Sequence, residues 1–149
     1  MSVAVLRTIA LPSGLPALRD RAEAEGFRML RVLEEDWVDG SVRFNGAGEA
    51  LFTLVEGATL LGIGGVTQDP YADAGTARVR RLYVDASRRR KGLGRMLVDA
   101  IVEHAAANGF RLIRVRAPDP AGAFYERCGF LRDISTGSAT HSRPLTPPG

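Results

Sequence analysis

The sequence is poor in residues that build disulfides, metal sites and membrane spans. It contains a single cysteine, Cys128, which excludes an internal disulfide and any multi-cysteine metal site. Its two histidines, His104 and His141, are far apart and show no ligand spacing. No apolar run approaches the roughly 18 residues of a membrane span, and the first residues do not resemble a signal peptide. We therefore expect no metal, no membrane partner and a cytoplasmic protein.

Lysine and aromatic residues are also scarce. Lys91 is the only lysine among 20 basic residues, and with the abundant alanine and glycine this indicates a GC-rich bacterial genome. Aromatic residues make up 7% of the chain and, apart from Tyr83, do not alternate with the arginines. A single-stranded nucleic-acid binder uses such aromatics to stack bases, so the composition argues against a nucleic-acid partner.

Arginine, in contrast, is concentrated in one part of the chain. The net charge is only +3, but eight of the 20 basic residues lie within residues 78–95. Such a concentration indicates an anionic partner, which can be a nucleic acid, a membrane surface or a phosphorylated small molecule. The 149 residues, with 45% hydrophobic and 25% charged, are enough for one domain and too few for two ordinary ones.

Apolar spacing and turn residues predict the element order β-α-α-β-β-β-α-β-α-β-β, a single mixed α/β domain. The predicted strands cover residues 3–10, 50–55, 59–67, 76–84, 111–116, 130 onward and 138–145, and the predicted helices residues 15–26, 29–40, 93–106 and 121–127. Strict alternation in strand 76–84 places Arg78, Arg80, Leu82 and Val84 on one face and Val79, Arg81 and Tyr83 on the other.

A basic, glycine-containing loop at residues 88–95 separates the predicted strand 76–84 from the next helix. Cations are unfavourable at a helix N-terminus, which is already positive, so an anion is expected there. Gly92 and Gly94 lack the Cβ atoms that would keep an anion from the backbone N–H groups. Leu97 stands where a dinucleotide loop has its third glycine, and the Walker pattern does not fit either.

What does fit is Arg89-x-x-Gly92-x-Gly94, which resembles the Gln/Arg-x-x-Gly-x-Gly/Ala pyrophosphate loop of the GNAT family of acetyl-CoA-dependent N-acetyltransferases. Residues 121–130, Ala-Gly-Ala-Phe-Tyr-Glu-Arg-Cys-Gly-Phe, are similar to that family's second motif. The resemblance is strong over residues 76–130. It implies a central, mostly antiparallel mixed sheet with a splayed parallel pair of strands, flanked by about four helices.

The resemblance also implies acetyl-CoA as cosubstrate and a division of labour within one domain of residues 1–149. Residues 1–75 would mainly build the acceptor side, and residues 76–130 the acetyl-CoA-binding core. The implied cofactor-binding residues are Leu82, Tyr83, Val84, Arg89, Arg90, Lys91, Gly92, Leu93, Gly94, Arg95, Ala121 and Phe124. Two positions depart from the family: Pro118 replaces the asparagine that opens the second motif, and Arg78 stands where some members have a catalytic glutamate.

In acetyl transfer the amine must lose a proton and the departing thiolate must gain one. Both need help at neutral pH, because a lysine-like amine has a pKa of about 10.4 and a thiol has one of about 8.5. Tyr125 stands where the family keeps a tyrosine over the CoA sulfur, which implies that it is the catalytic acid; the alternative is a packing role. The general base is unassigned. Its candidates are Glu34, Glu35, Asp36, Asp69, His141 or a water. Cys128 is expected to be a small buried thiol.

Arg78 and Arg80 are the leading acceptor contacts, with Asp36 and His141 as further candidates. Two guanidiniums would repel a polycation and hold a carboxylate, which favours a small amine bearing an acid group. The alternative is that both arginines pair with carboxylates of the fold. Two alternative functions for the whole chain are a nucleic-acid-binding module and a GNAT-fold protein that binds CoA without turnover. We expect a monomer or homodimer.

Overall fold

The computed structural model describes residues 2–146, without the side chains of Arg90 and Lys91. The predictions for these two side chains, and residues 1 and 147–149 of the predicted domain, lie outside the described residues. The elements are β1 (Val3–Thr8), α1 (Leu15–Ala24), α2 (Met29–Asp39), β2 (Ala50–Glu56), β3 (Thr59–Gln68), β4 (Thr76–Val84), a 3₁₀ helix (Ala86–Lys91), α3 (Leu93–Ala107), β5 (Leu112–Val115), α4 (Gly122–Arg127), β6 (Leu131–Arg132) and β7 (His141–Pro144). This confirms the predicted order; the 3₁₀ helix is an addition.

The seven strands form one sheet in the order β1-β2-β3-β4-β5-β7-β6. Every neighbouring pair is antiparallel except β4 and β5. The parallel pairing joins Thr76–Arg78 to residues 112–114, whereas β4 continues to Val84. In the described chain, the second half of β4 therefore has β3 on one edge and an open edge on the other, which confirms the splayed parallel pair.

Helices cover both faces of the sheet and divide its core in two. On one face the helical spacing of Leu93, Leu97, Ile101 and Ala105 gives α3 a continuous apolar stripe, buried together with Tyr125 and Phe130. On the other face α1 and α2 contribute Leu15, Leu18, Leu30 and Leu33 to a second buried cluster. Strands β2 to β4 are buried from both sides, and the two layers hold the open edge of β4 between them.

A β-bulge at Arg81 makes the predicted face assignment of β4 wrong. The register passes from Gly65 opposite Arg80 to Ile63 opposite Tyr83, so β4 has one more residue than β3 in this interval, and Arg81 has a φ of +56°. One extra residue inverts the alternation beyond it. As a result Leu82 and Val84 pack with Val79 on the α3 side, and Tyr83 packs on the α1/α2 side.

Arg80 lies on the α1/α2 side of β4. Its partner across the ladder is Gly65, and a Cβ on Gly65 would stand 2.4 Å from the ring of Phe44, which belongs to the α1/α2 core. Residues directly opposite each other in an antiparallel pair share a face. Arg78, two residues before Arg80, shares that face, so the predicted pair Arg78 and Arg80 stays together while Leu82 and Val84 leave it.

No helix among residues 2–146 is both long and apolar enough to cross a membrane. In the same part of the chain, no group of three His, Cys, Asp or Glu side chains is arranged to hold a metal ion. Cys128 follows α4 and is buried, which raises the pKa of its thiol. This confirms the expectation of a small buried thiol.

Candidate active site

A cavity of about 380 Å³ lies where β4 and β5 separate. Its walls come from the end of β4, the 3₁₀ helix, the start of α3, residues 118–121 after β5, helix α4, the connection between α1 and α2, and the start of α2. The walls are mainly apolar and include no carboxylate or histidine among the described residues. A cavity of this size and polarity suits an uncharged, elongated organic group.

The open edge of β4 gives this cavity a row of backbone hydrogen-bonding groups. The N–H of Asp85 donates to Leu61 O in β3 over 2.7 Å. Because the peptide groups of a strand alternate between its two neighbours, those of Val84 and Leu82 point the other way, towards the gap beside β5. Val84 O already accepts from Arg89 Nε (3.1 Å). An extended ligand with amide groups can pair with this edge as an added strand would.

The N-terminus of α3 meets the same cavity. Gly92 precedes the helix with a φ of +72°, in the left-handed region that favours glycine, and a Cβ there would meet nothing within 4 Å. Gly94 forms part of the cavity wall, where a Cβ would stand 3.0 Å from Phe124 Cε1. The first-turn N–H groups of a helix have no partner inside it and carry partial positive charge, so this end is suited to an anion such as a phosphate.

Helix α4 brings the hydroxyl of Tyr125 to the cavity. The residue is only 3% exposed and is held edge-to-face between Phe124 and Phe130, with ring centroids 5.1 and 5.5 Å away. Its hydroxyl has no hydrogen-bond partner among the described residues, and burial raises its pKa above the ordinary tyrosine value. The hydroxyl is therefore a protonated donor that remains available to a ligand.

The two sequence motifs imply three features that this cavity has. They are an apolar slot beside an open strand edge, a helix N-terminus with glycine in its first turn, and a buried tyrosine. The sequence profile of the acetyltransferase (GNAT) family matches residues 15–130. The chain belongs to the GNAT family. Among curated protein sequences, none is significantly similar to it.

Solved structures show the same GNAT fold over nearly the whole chain. A protein from Exiguobacterium sp. 255-15 assigned as an acetyltransferase is 26% identical, with a TM-score of 0.84 over 97% of this chain and 94% of that one. The Escherichia coli GNAT N-acetyltransferase YhbS, solved with CoA, is 19% identical with a TM-score of 0.68, covering 98% and 84%. The E. coli ribosomal-protein-S18-alanine N-acetyltransferase is 19% identical with a TM-score of 0.65, covering 98% and 97%.

The cavity contains most of the residues that the sequence predicts for acetyl-CoA. Seven of the twelve line it, namely Leu82, Tyr83, Val84, Arg89, Gly94, Ala121 and Phe124. Gly92 caps α3 beside it, Leu93 is buried in the core, and Arg95 is exposed on the helix. Their role as cofactor contacts stays a prediction. The observation that fits acetyl-CoA is the wall at Gly94, which any larger side chain would fill.

Sequence reasoning missed five lining residues: Phe27, Met29, Pro118, Pro120 and Arg127. Pro118 was noticed only as a departure from the family motif. Phe27 comes from the α1–α2 connection and Met29 is the first residue of α2, in the half of the chain where the resemblance is weak. The one sequence signal was the aromatic residue Phe27 directly after Gly26, where a connection between two helices would ordinarily be polar.

Most of the concentrated positive charge is neutralised inside the fold. Five of the eight clustered cations have carboxylate partners: Arg78 with Asp69, Arg81 with Asp36, Arg88 with Glu56, Arg89 with Glu25 and Arg95 with Asp99. Asp36, Glu56 and Glu25 come from distant parts of the chain, whereas Asp69 and Asp99 are near their partners in sequence. The arginine run thus serves the fold as well as the loop, which lowers the charge available to a polyanion such as DNA.

Arg89 joins the α1–α2 connection to the loop at residues 88–95. Its guanidinium forms two hydrogen bonds to the Glu25 carboxylate (2.6 and 2.9 Å) and lies 5.1 Å from the centroid of the Tyr83 ring. The Tyr83 hydroxyl donates to the same carboxylate. The arginine lowers the pKa of Glu25, and burial followed by this hydrogen bond raises that of Tyr83. Phe27 follows Glu25 by two residues, so this cluster positions one wall of the cavity.

Replacing Glu25 by glutamine should lower stability only where the carboxylate is charged. The depressed pKa means that Glu25 stabilises the fold above the ordinary glutamate pKa of about 4.3 and loses this contribution as the pH falls below it. We expect a loss of at most about 1 kcal/mol at pH 7, because the pair is partly exposed. Urea unfolding of the two proteins at pH 7 and pH 3 measures the difference.

The matched control for this change is Glu35→Gln, since Glu35 lies exposed on α2 without an ion pair among the described residues. It should behave as the parent protein at both pH values. A Glu25→Gln deficit that is as large at pH 3 as at pH 7 would show that shape, rather than charge, matters at this position.

The general-base candidates all lie outside the cavity lining. Glu34 pairs with Arg19, Asp36 with Arg81, Asp69 with Arg78 and His141 with Glu126, while Glu35 is exposed. His141 is buried, 2.9 Å from Glu126 and 2.8 Å from the Thr140 hydroxyl, and lines a separate polar cavity of about 420 Å³.

The two predicted acceptor arginines have different surroundings. Arg78 is buried, with Nη1 3.5 Å from Asp69 Oδ1, with Nη2 donating to Ser138 O, and with its guanidinium 5.1 Å from the Tyr71 ring centroid. This is the alternative in which the arginine pairs with a carboxylate of the fold. Arg80 is half-buried, and its one hydrogen-bond partner among the described residues is the Thr67 hydroxyl, 3.1 Å away.

Proposed function

We propose that this GNAT protein is an N-acetyltransferase that transfers the acetyl group of acetyl-CoA to the amine of a small molecule. The observation that carries the proposal is that the open β4 edge, the Gly94 wall and the free Tyr125 hydroxyl meet in one cavity. In this proposal residues 76–130 bind acetyl-CoA and residues 1–75 mainly build the acceptor side, with Phe27 and Met29 reaching across to the cofactor.

Acetyl-CoA supplies a thioester, and the chain's own residues bind it and manage the protons. The peptide groups of Leu82 and Val84 align the amide-containing arm, and the N-terminus of α3 holds the pyrophosphate. Tyr125 donates its proton, or a hydrogen bond, to the departing sulfur, whose thiol has a pKa of about 8.5. These steps need no metal.

The amine acceptor must lose a proton, and no group among the described residues of the cavity lining takes it at neutral pH. Its titratable members are two tyrosines with raised pKa values and two arginines. A water molecule that passes the proton to solvent is therefore the base that fits this lining. This assigns none of the five carboxylate and histidine candidates to the role.

A melting experiment tests the cofactor assignment. A ligand at 100 times its Kd stabilises the native state by about 2.7 kcal/mol. For a chain of this size that corresponds to a rise in Tm of about 5–10 °C. We expect this rise with CoA and acetyl-CoA, and none with a DNA oligomer at the same salt concentration. A rise with DNA and none with CoA would refute the acetyltransferase proposal in favour of the nucleic-acid reading.

Thiol release separates catalysis from binding. With a panel of small amines, the enzyme should release free CoA faster than the uncatalysed hydrolysis of acetyl-CoA. A protein that CoA stabilises, but that does not accelerate thiol release with any amine of the panel, would instead be a CoA-binding GNAT-fold protein without turnover.

A further inference from the structure

Three arginines on one stretch of β4 share only two carboxylates. Asp69 lies 3.5 Å from Arg78, and Asp36 lies 3.2 Å from Arg81. Arg80, between them, has no ion-pair partner in the described part of the chain. The cluster therefore carries one positive charge that the fold does not neutralise, and that charge belongs to Arg80.

The surroundings of Arg80 make an anionic partner favourable. Burial lowers its pKa first, and the neighbouring cations Arg81 and Arg78 lower it further. The nearby Asp36, which pairs with Arg81, raises the pKa in part, but Arg80 has lost hydration without gaining an ion pair of its own among the described residues. A guanidinium has five N–H donors in a planar fork, and a neutral hydroxyl uses only one of them here. A carboxylate can accept two parallel N–H bonds from the same fork.

Arg80 does not line the cavity itself, but it lies two residues before Leu82, where the β4 part of the lining begins. The β4–β5 pairing ends at Arg78, and the cavity lining on β4 begins at Leu82, so Arg80 lies at the point where the two strands part. Its side chain is on the α1/α2 face, whereas Gly94 and Phe124 approach the cavity from the α3/α4 face. A molecule that reaches the thioester from the side opposite the cofactor loop therefore comes close to this guanidinium.

We propose that Arg80 binds a carboxylate of the amine acceptor, so that the acceptor is an amino acid or a related amino-carboxylic acid. This inference rests on the proposed N-acetyltransferase function. Arg78 does not take part in binding this carboxylate, because Asp69, Ser138 and Tyr71 already surround its guanidinium. The unneutralised charge also disfavours polyamines and lysine-rich peptides as acceptors, since like charges repel.

Matched acceptors test the carboxylate directly. Each amino acid is compared with its own carboxamide, which keeps the amine and side chain and removes the negative charge. We expect kcat/KM for the acid to exceed that for the amide by about 10- to 100-fold, the range for hydrogen bonds to a charged group. In Arg80→Gln this ratio should fall to near one, and Arg80→Lys should keep only part of it.

The control variant is Arg7→Gln, an arginine on edge strand β1 that should leave the ratio unchanged. A binding readout does not depend on turnover: with CoA present, an N-acetylamino acid should raise the Tm of the parent protein more than its amide does, and Arg80→Gln should abolish the difference.

The possible failures are distinguishable. If the enzyme acetylates amides or basic peptides as fast as amino acids, and Arg80→Gln leaves the acid-to-amide ratio of kcat/KM unchanged, Arg80 does not bind the acceptor's carboxylate. The acetyltransferase proposal is unaffected by that result. A stronger preference for an amine bearing phosphate than for one bearing carboxylate also overturns the carboxylate assignment. Failure of CoA to stabilise the protein, in contrast, removes the acetyltransferase proposal itself.

Discussion

Replacing Gly94 by valine should abolish measurable CoA binding while the protein stays folded. A Cβ at this position would stand 3.0 and 3.1 Å from two ring carbons of Phe124, and the two further methyl groups of valine would extend into the cavity. They would also cover first-turn N–H groups of α3, which are the proposed phosphate contacts. We expect the affinity to fall by more than about 100-fold, since both steric access and these charge-assisted hydrogen bonds are lost.

The loss should not reflect unfolding. Glycine is less favourable than valine inside a helix by a few tenths of a kcal/mol, which offsets part of the strain against Phe124. Circular dichroism and the unliganded Tm check the fold, and the CoA-induced rise in Tm checks binding. Gly137→Val is the matched control, because a Cβ there meets nothing within 4 Å. A Gly94→Val protein that still responds to CoA as the parent does would show that the pyrophosphate binds elsewhere.

Local sequence patterns predicted the elements that bury a regular face. Strand β4 was predicted with its observed bounds, Thr76–Val84, because β-branched residues between two turn-rich segments mark it clearly. Helix α3 was predicted to within one residue, because Leu93, Leu97 and Ile101 keep their helical spacing throughout. The cofactor side of the site followed, since it consists of the junction between these two elements.

The bulge in β4 has no such local signal. A positive φ is uncommon for a residue with a Cβ, so the sequence argues against the conformation that Arg81 adopts. The conformation is compatible with the ion pair between Arg81 and Asp36 of α2, a contact formed across 45 positions of sequence. One extra residue then reverses which side chains face each half of the core, and strict alternation cannot anticipate it.

Local sequence patterns also could not predict which carboxylates pair with the arginines. Arg89 was interpreted as a phosphate contact, yet its guanidinium binds Glu25, 64 positions away. Pairing of this kind depends on how α1 packs over the sheet, which periodicity does not specify. The same limit explains why Arg78 and Arg80 were grouped together: their shared face was predictable, but Asp69 beside only one of them was not.

The Tyr125→Phe variant should bind CoA almost as tightly as the parent protein and acetylate its acceptor about 10²- to 10⁴-fold more slowly, the range for losing an acid catalyst. The ring sits between Phe124 and Phe130, so phenylalanine keeps the packing. Only the hydroxyl is lost, and that hydroxyl has no partner among the described residues whose hydrogen bond would also break. Single-turnover acetylation measures the step, with the CoA-induced Tm rise as the measure of binding.

The pH dependence tests whether the buried hydroxyl stays protonated, and the size of the rate loss distinguishes an acid from a residue that only packs. Because burial raises the pKa of Tyr125, its hydroxyl stays protonated beyond the ordinary tyrosine pKa of about 10. The ratio of parent to variant rates should therefore be constant from about pH 7 to pH 10, the interval over which an unshifted tyrosine begins to ionise. Tyr71→Phe is the control, since Tyr71 is 67% exposed and outside the cavity lining. An unimpaired Tyr125→Phe enzyme would show that Tyr125 has a packing role alone. Solvent would then protonate the sulfur.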